Sequence, residues 1–508
     1  MMGRLQKKIR RIIEFIIFMV IILALFCKLT WLFRSNSGEA REDIQGFKNQ
    51  GKIDVVLYGG SNLLRYYQPL EAWHEKGFTS YNYATTAYRA DLLEFFMEES
   101  RSSNEALLYV CDIRTLLPIK GVSDELALRT WSDSVGVFSP ARIKGITTFL
   151  LNRDWQDVDI ISYYFDIAEY HSNYEALARP YQWQYVNLKN IYNMDKGFNA
   201  KHSMGHIPFE RPEEADKCGE LAEQQVKVLN DLLNYCDEEK LSVLFIVCPY
   251  IITESDWEIF NACADIIQER GYDFVNFNCY YDEIGFNFET DFFDVNHINY
   301  LGAEKYTEYL MNYLSDNYDL PDHRGDIEYA KWDEDYDEYA LLQRDWKESI
   351  LSIVDQHLEA KELGEKISSI SDFSDWFGHI QNENYTIIIE KDQFDIYNTH
   401  DLAFDMILEK WRIDETGKNY IGIWQGETDL FCSNSNESFE GEIGVDGGRG
   451  LTSCSVHAGD NPQILINETD YYNNLGGIQI VVFDNNYQKV IDNVNIYVSE
   501  RGVSLVRQ

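Results

Sequence analysis

The sequence predicts a three-layer αβα domain on a parallel sheet, preceded by one membrane-spanning helix and followed by a β-rich C-terminal domain. Three observations carry this. Short, nearly continuous apolar runs alternate with amphipathic stretches between about residues 52 and 316, as expected of strands buried by helices on both faces. A long apolar run, Ile12 to Phe33, directly follows a basic cluster. Beyond residue 371 the period becomes strictly alternating and is broken by turn residues.

The N-terminus opens with Arg4, Lys7, Lys8, Arg10 and Arg11, then IIEFIIFMVIILALFCKLTWLF. That run is long enough to cross a bilayer once, and its positive flank places the N-terminus in the cytoplasm and the rest outside. A cleaved signal peptide needs small residues after the apolar run, where Thr-Trp-Leu-Phe stands, and Phe26 is too large for lipid processing at Cys27. Residues 1–34 therefore read as a basic tip and an uncleaved signal anchor, and 35–51 as a linker.

Within 52–316 the expected strands are DVVLY, TSYNY, ALLYVCDI, LSVLFIVCP and YDFVNFN. The expected helices are the segment through Trp73, RADLLEFFMEES, EEADKCGELAEQQVKVLNDLLNYCDEE, DWEIFNACADIIQERG and AEKYTEYLMNYL. Residues 118–206 form an aromatic-rich insertion after the third strand. It either shapes the ligand site, as loops at the carboxyl ends of such strands do, or caps the domain without touching ligand. Residues 317–370 read as a solvated acidic connector and a helix, and 371–508 as a β-rich accessory domain with a hairpin around Asp484-Asn485-Asn486.

The formal net charge of -41 makes nucleic acid and an anionic membrane surface poor partners for the bulk of the chain. The 34 Tyr and 11 Trp offer flat faces with polar tips suited to carbohydrate. Of nine cysteines, Cys27 is the natural unpaired one, Cys111 and Cys248 sit in apolar runs, and pairing of Cys432 with Cys454 is open.

The first expected strand ends in Gly59-Gly60-Ser61-Asn62. Neither G-x-G-x-x-G nor G-x-x-x-x-G-K-[ST] is present, so a phosphate cradle is excluded and no cofactor is expected. A plain turn and a nucleophile remain. A serine needs a base, and DFFDVNHINYLGAEKY supplies His297 with Asp294 three residues before it, in the loop between the last strand and the last helix. Both ends of this constellation would open at the carboxyl edge of the sheet. No metal set stands out: His202 and His206 are four apart but lack the H-E-x-x-H surroundings.

With these residues in place the chain resembles the SGNH (GDSL-like) hydrolase superfamily over about Asp54 to Leu314. Gly60-Ser61 matches its first block and Asp294-x-x-His297 its last. The resemblance implies a flavodoxin-like fold, with Ser61 as nucleophile, His297 as general base and Asp294 as its orienting carboxylate. The family's oxyanion donors come from a second-block glycine and from a Gly-x-Asn-Asp block, which is absent after LLYVCDIR. The second block is TSYNYATTAY, where Ala84 or Thr85 would offer a backbone N–H. Asn82 is either a donor or a strand residue facing the core, and Arg114 either an acceptor-binding group or a surface cation. With its anchor, the chain further resembles the DltD-like and alginate O-acetylation proteins of bacterial envelopes, which act beside a membrane-bound O-acyltransferase. That implies an extracellular acyl-ester enzyme, transferase or esterase, acting on a cell-envelope glycan or teichoic-acid-like polymer. GIQIVVFDNNYQKVIDNVNI resembles the interleukin-like inducer β domain, implying a carbohydrate-binding or interaction module.

Overall fold

The computed structural model describes residues 2–34, 38–117, 122–152, 160–178, 183, 191–205, 209–392, 396, 401–413, 416–435, 437–444, 451–459, 461–499 and 502–507. They form two compact units, Met1–His202 with Phe209–Lys347, and Ser203–Pro208 with Glu348–Gln508.

In the first unit β1 (Val55–Gly59), β2 (Ser80–Ala84), β3 (Leu108–Asp112), β4 (Val243–Val247) and β5 (Asp273–Asn276) pair in parallel in the order β2-β1-β3-β4-β5. All residues of β1 to β4 are buried, which is why their sequences run apolar without alternation. The helices are α1 (Met2–Phe33), α2 (Gly38–Phe47), α3 (Ser61–Tyr66), α4 (Pro69–Lys76), α5 (Leu93–Arg101), α6 (Asp124–Ser134), α7 (Pro140–Leu151), α8 (Ile160–Tyr164), α9 (Asp166–Tyr170), α10 (Glu223–Glu239), α11 (Glu254–Glu269), α12 (Tyr281–Ile284) and α13 (Tyr300–Asn317). Two short strands, β6 (Phe292–Asp294) and β7 (His297–Ile298), pair antiparallel before α13.

Three of these helices differ from the sequence reading. The segment through Trp73 breaks at Tyr67-Gln68, because a residue before proline is driven to extended backbone and Pro69 starts a new helix. The expected helix over 213–239 begins only at Glu223. Upstream, Asn261 Nδ2 donates to the carbonyls of Ala215 and Lys217, and the Gly219 N–H to the carbonyl of Glu258, so the irregular segment is held against α11 instead. The last helix starts at Tyr300, since the Asn299 side chain accepts from the N–H groups of Leu301 and Gly302.

Helix α1 contains one stretch, Lys7–Phe33, long and apolar enough to cross a membrane, and its apolar side chains are exposed. Its base is not: Thr30, Trp31, Leu32 and Arg34 are buried. The Arg34 guanidinium donates through Nε and Nη2 to Asp166 Oδ2 at 2.9 and 2.7 Å, and through Nη1 to the carbonyls of Asp133 and Val135. Arg142 completes the cluster on Asp166 Oδ1 at 2.6 Å.

The acidic segment departs from a purely solvated connector. Helix α14 (Ala330–Ser369) has residues in both units, and within the first it buries Trp332, Asp335 and Tyr339 while Trp73 Nε1 donates to Asp333. Its apolar positions are interleaved with acids, so net charge masked a packed face.

The second unit has a six-stranded antiparallel sheet, ordered β10-β9-β8-β15-β16-β17, and a four-stranded one, β11-β12-β13-β14. The large sheet comprises β8 (Tyr385–Lys391), β9 (Tyr420–Gln425), β10 (Thr428–Ser433), β15 (Ile478–Asp484), β16 (Lys489–Ser499) and β17 (Gly502–Arg507); the small one comprises β11 (Phe439–Ile443), β12 (Thr452–His457), β13 (Gln463–Ile466) and β14 (Thr469–Asp470). The expected hairpin joins β15 to β16, its turn held by Asp484 Oδ1 accepting from the N–H groups of Asn486 and Tyr487. One core includes Trp376 of α15 (Phe373–Ile380) and Trp411 just after α16 (Leu402–Lys410); the other includes residues of the small sheet. Cys432 packs on the first core and Cys454 belongs to the second, so they do not pair, and all nine cysteines are free thiols.

Candidate active site

β1 delivers the chain to the carboxyl edge of the sheet, where Gly60, extended at φ -90° and ψ -159°, leads into Ser61 as the first residue of α3. Neither glycine takes a positive φ. Gly59 is required by proximity instead: a Cβ there would lie 3.0 Å from Leu63 Cβ and 3.1 Å from Asp112 Cβ, whereas one on Gly60 would meet nothing closer than 3.6 Å. The glycine pair thus acts through close packing of α3 on β3, at one of its two positions.

Ser61 Oγ lies 2.7 Å from His297 Nε2, and His297 Nδ1 lies 2.9 and 3.0 Å from the two carboxylate oxygens of Asp294. A carboxylate only accepts, so Nδ1 carries a proton and the Nε2 of the neutral ring faces the serine as an acceptor. Asp294 Oδ1 also accepts from the Asn296 N–H at 2.7 Å, which fixes the turn that presents the ring. Burial pushes the Asp294 carboxyl up, but hydrogen bonding from His297, its charge and the backbone N–H groups outweigh this and hold it below the ordinary aspartate value.

The two halves of the triad, 236 residues apart, are clamped together by polar contacts. Asn62 Nδ2 donates to the Asn296 carbonyl at 2.8 Å, and so does the Tyr66 hydroxyl, which in turn accepts from the Ile298 N–H. Arg114 donates to the side-chain oxygens of both Asn62 and Asn296, and its guanidinium lies 3.9 Å over the Tyr250 ring. Arg114 is therefore tied into the site and is not a free surface cation.

These residues line an open cleft of about 460 Å³ bounded by Gly60, Ser61, Asp112, Arg114, Thr115, Leu117, Tyr250, Asp256 and His297 among others. It opens where β1 and β3 end, on either side of the point at which the winding of the sheet reverses. Burial raises the Asp112 carboxyl, opposed by the N–H and charge of Arg114. Burial and then the Asp256 charge raise Tyr250. The Thr115 hydroxyl, in the cleft wall, has no hydrogen-bond partner among the described residues.

The second block does not reach the cleft. Ala84 is the last residue of β2, in register with Gly59, and the Thr85 N–H is spent on the Gly59 carbonyl at 3.3 Å. Asn82 is fully buried, donating to the carbonyls of Leu63 and Tyr67. It is covered by Gly197, whose φ of +81° brings the backbone so close that a Cβ would sit 2.2 Å from the Asn82 carbonyl oxygen. The core-facing alternative for Asn82 is the observed one. The insertion supplies none of the cleft lining among the described residues. His202 stacks near Trp346 at 5.5 Å, and His206 lies outside the described residues.

Sequence reasoning missed Asn62, Thr115, Tyr250, Asp256 and Asn296. Asn62 and Asn296 adjoin triad residues and were within reach of inspection. Tyr250 and Asp256 follow β4, and only the adjacency of β3 and β4 brings them to Arg114. No protein-family model and no curated protein matches this chain.

Proposed function

We propose that the first unit is a membrane-anchored Ser-His-Asp acyl-ester enzyme of the SGNH type, working outside the cell on a bacterial envelope glycan or teichoic-acid-like polymer. The observation that carries this is the Ser61–His297–Asp294 relay, with both hydrogen bonds formed. The 2-1-3-4-5 strand order, with the serine at the exit of β1, supports the flavodoxin-like assignment. The charge of -41 argues against a nucleic-acid substrate.

In this reading Ser61 Oγ attacks the ester carbonyl as its proton passes to His297 Nε2, and Asp294 stabilises the imidazolium. Collapse of the tetrahedral intermediate breaks the ester bond. The departing alcohol takes the proton from His297, leaving acyl-Ser61. A polymer hydroxyl, or water, then attacks the acyl carbonyl, gives its proton to His297 and releases Ser61. The Ser61 N–H at the start of α3 is one donor for the oxyanion, since a first-turn N–H has no partner within its helix. Arg114 and Thr115 follow β3, where the missing Gly-x-Asn-Asp block would stand, and place two further polar groups in the cleft wall. A membrane-bound O-acyltransferase is the partner that would deliver the acyl group.

The expected result is covalent labelling of wild-type Ser61 by a fluorophosphonate probe and hydrolysis of a small aryl ester, both abolished in Ser61→Ala. Wild-type protein that neither reacts with the probe nor cleaves the ester would sink the enzyme reading. One observation favours a second reading, a catalytically silent glycan-binding scaffold: the Thr85 N–H and the Asn82 side chain, the second-block donors, are both spent inside the fold. That scaffold would retain glycan binding in Ser61→Ala.

A further inference from the structure

Around the base of α1 the first unit exposes large apolar side chains where a water-facing surface would not. Ile160 is 46% exposed, Phe165 56%, Tyr174 66%, Leu177 44% and Trp183 50%. They belong to α8, to the residue between α8 and α9, to the short turn Tyr174–Ala178 and to Trp183, whose Nε1 donates to the Leu177 carbonyl at 3.1 Å. Both α9 and that turn pack directly against α1. Past the basic cluster, the exposed apolar face of α1 runs from Ile12 to Leu29 and stops at buried Thr30. At 1.5 Å per residue that stretch spans about 26 Å, close to the thickness of a bilayer's hydrocarbon core.

The point where α1 enters the unit is thus the level of the lipid headgroups, and the exposed residues sit on or beside α9 and the Tyr174–Ala178 turn, the two elements that pack on α1, and on α8, which packs on α9. Tyr and Trp among them are the side chains that favour such an interface. The stretch Ile160–Ala178 holds no Lys or Arg and carries Glu169 and Glu175, so attraction to anionic lipid is not what the surface is built for. The connection is stiff as well. Arg34, directly after α1, is buried in the Asp166 and Arg142 cluster, and Asp166 opens α9.

We propose that α8, α9 and the Tyr174–Ala178 turn form an interfacial foot that rests its apolar side chains in the bilayer surface, with Arg34 locking this foot to the membrane helix. The catalytic cleft is then held at a fixed attitude to the membrane, within reach of a polymer growing at its surface. This rests on the anchor reading of α1, and the experiment separates the two.

The full chain is reconstituted in zwitterionic phosphatidylcholine vesicles doped with a phospholipid bearing a diazirine high on its acyl chain, and cross-links are mapped by mass spectrometry. Lipid adducts are expected within 9–29 and within 160–178, both undiminished by added salt. The double variant Ile160→Glu, Phe165→Glu is expected to lose the adducts in 160–178 and keep those in 9–29. Adducts in 9–29 alone in the wild-type protein would overturn the foot while leaving the anchor. Adducts in neither would overturn both. Cross-linking of 160–178 to another polypeptide in native membranes, in place of lipid, would also overturn it.

Discussion

Replacing Asp294 with Asn tests the Ser61–His297–Asp294 relay at its carboxylate end. The Asn296 N–H donates to Oδ1 at 2.7 Å, so the amide oxygen of the variant takes that place and its NH2 takes the place of Oδ2, 3.0 Å from His297 Nδ1. The geometry is kept while the charge is lost. A carboxylate and an imidazolium this close attract by about 4 kcal/mol at an effective dielectric near 20. The Asp294 side chain is 40% exposed, so solvent screens part of this and about 3–4 kcal/mol is expected. At about 1.4 kcal/mol per tenfold, the second-order rate of Ser61 labelling by a fluorophosphonate should fall by about 10² to 10³. The NH2 facing the ring also competes for the tautomer that presents Nε2 to the serine as an acceptor, which pushes the loss toward the upper figure. Thermal unfolding should change little, since the site is open to solvent. Labelling within a few-fold of wild type would mean that Asp294 neither orients nor charges the base, and the relay would be an accident of packing.

Gly59→Ala should destabilise by about 1–3 kcal/mol through overpacking against Leu63 and Asp112, while Gly60→Ala should leave the melting temperature unchanged; equal effects would contradict the close-packing account. Arg34→Met leaves Asp166 buried with Arg142 alone and should cost about 3–5 kcal/mol, read by denaturant unfolding of detergent-solubilised full chain. Burial, then the charge of Asp392, pushes Glu390 in the second unit up to about 8. Its folded state therefore holds a proton that the unfolded chain releases near pH 4.3, so stability is full below that value and is lost as pH rises toward about 8. Glu390→Gln should raise the melting temperature at pH 8 and leave it nearly unchanged at pH 4; the reverse pattern would refute the assignment. The opposite sign applies to Asp294, whose contribution is present above about pH 3.9 and is lost as pH falls through its lower folded value.

The sequence by itself determined the strands of the parallel sheet, because residues buried on both faces must be apolar throughout and that pattern survives in one dimension. It also determined the long apolar N-terminal helix and the three hydrogen-bonded residues Ser61, His297 and Asp294, since a serine after a strand and a D-x-x-H before the last helix are local signals. Helix ends were less legible: α10 starts at Glu223 because Asn261 and Glu258 of α11 hold the preceding segment, and no pattern within 213–222 reports that. Only tertiary structure decided which polar residues surround Ser61. Asn82 was drawn inward by the Gly197 loop, and Thr85 spent its N–H on Gly59, while Arg114 and Tyr250 were gathered from the ends of two parallel strands and Asn296 from the β6–β7 turn. Such groups meet because parallel strands all end on one edge, and the strand order that sets neighbours there is written in contacts far apart along the chain.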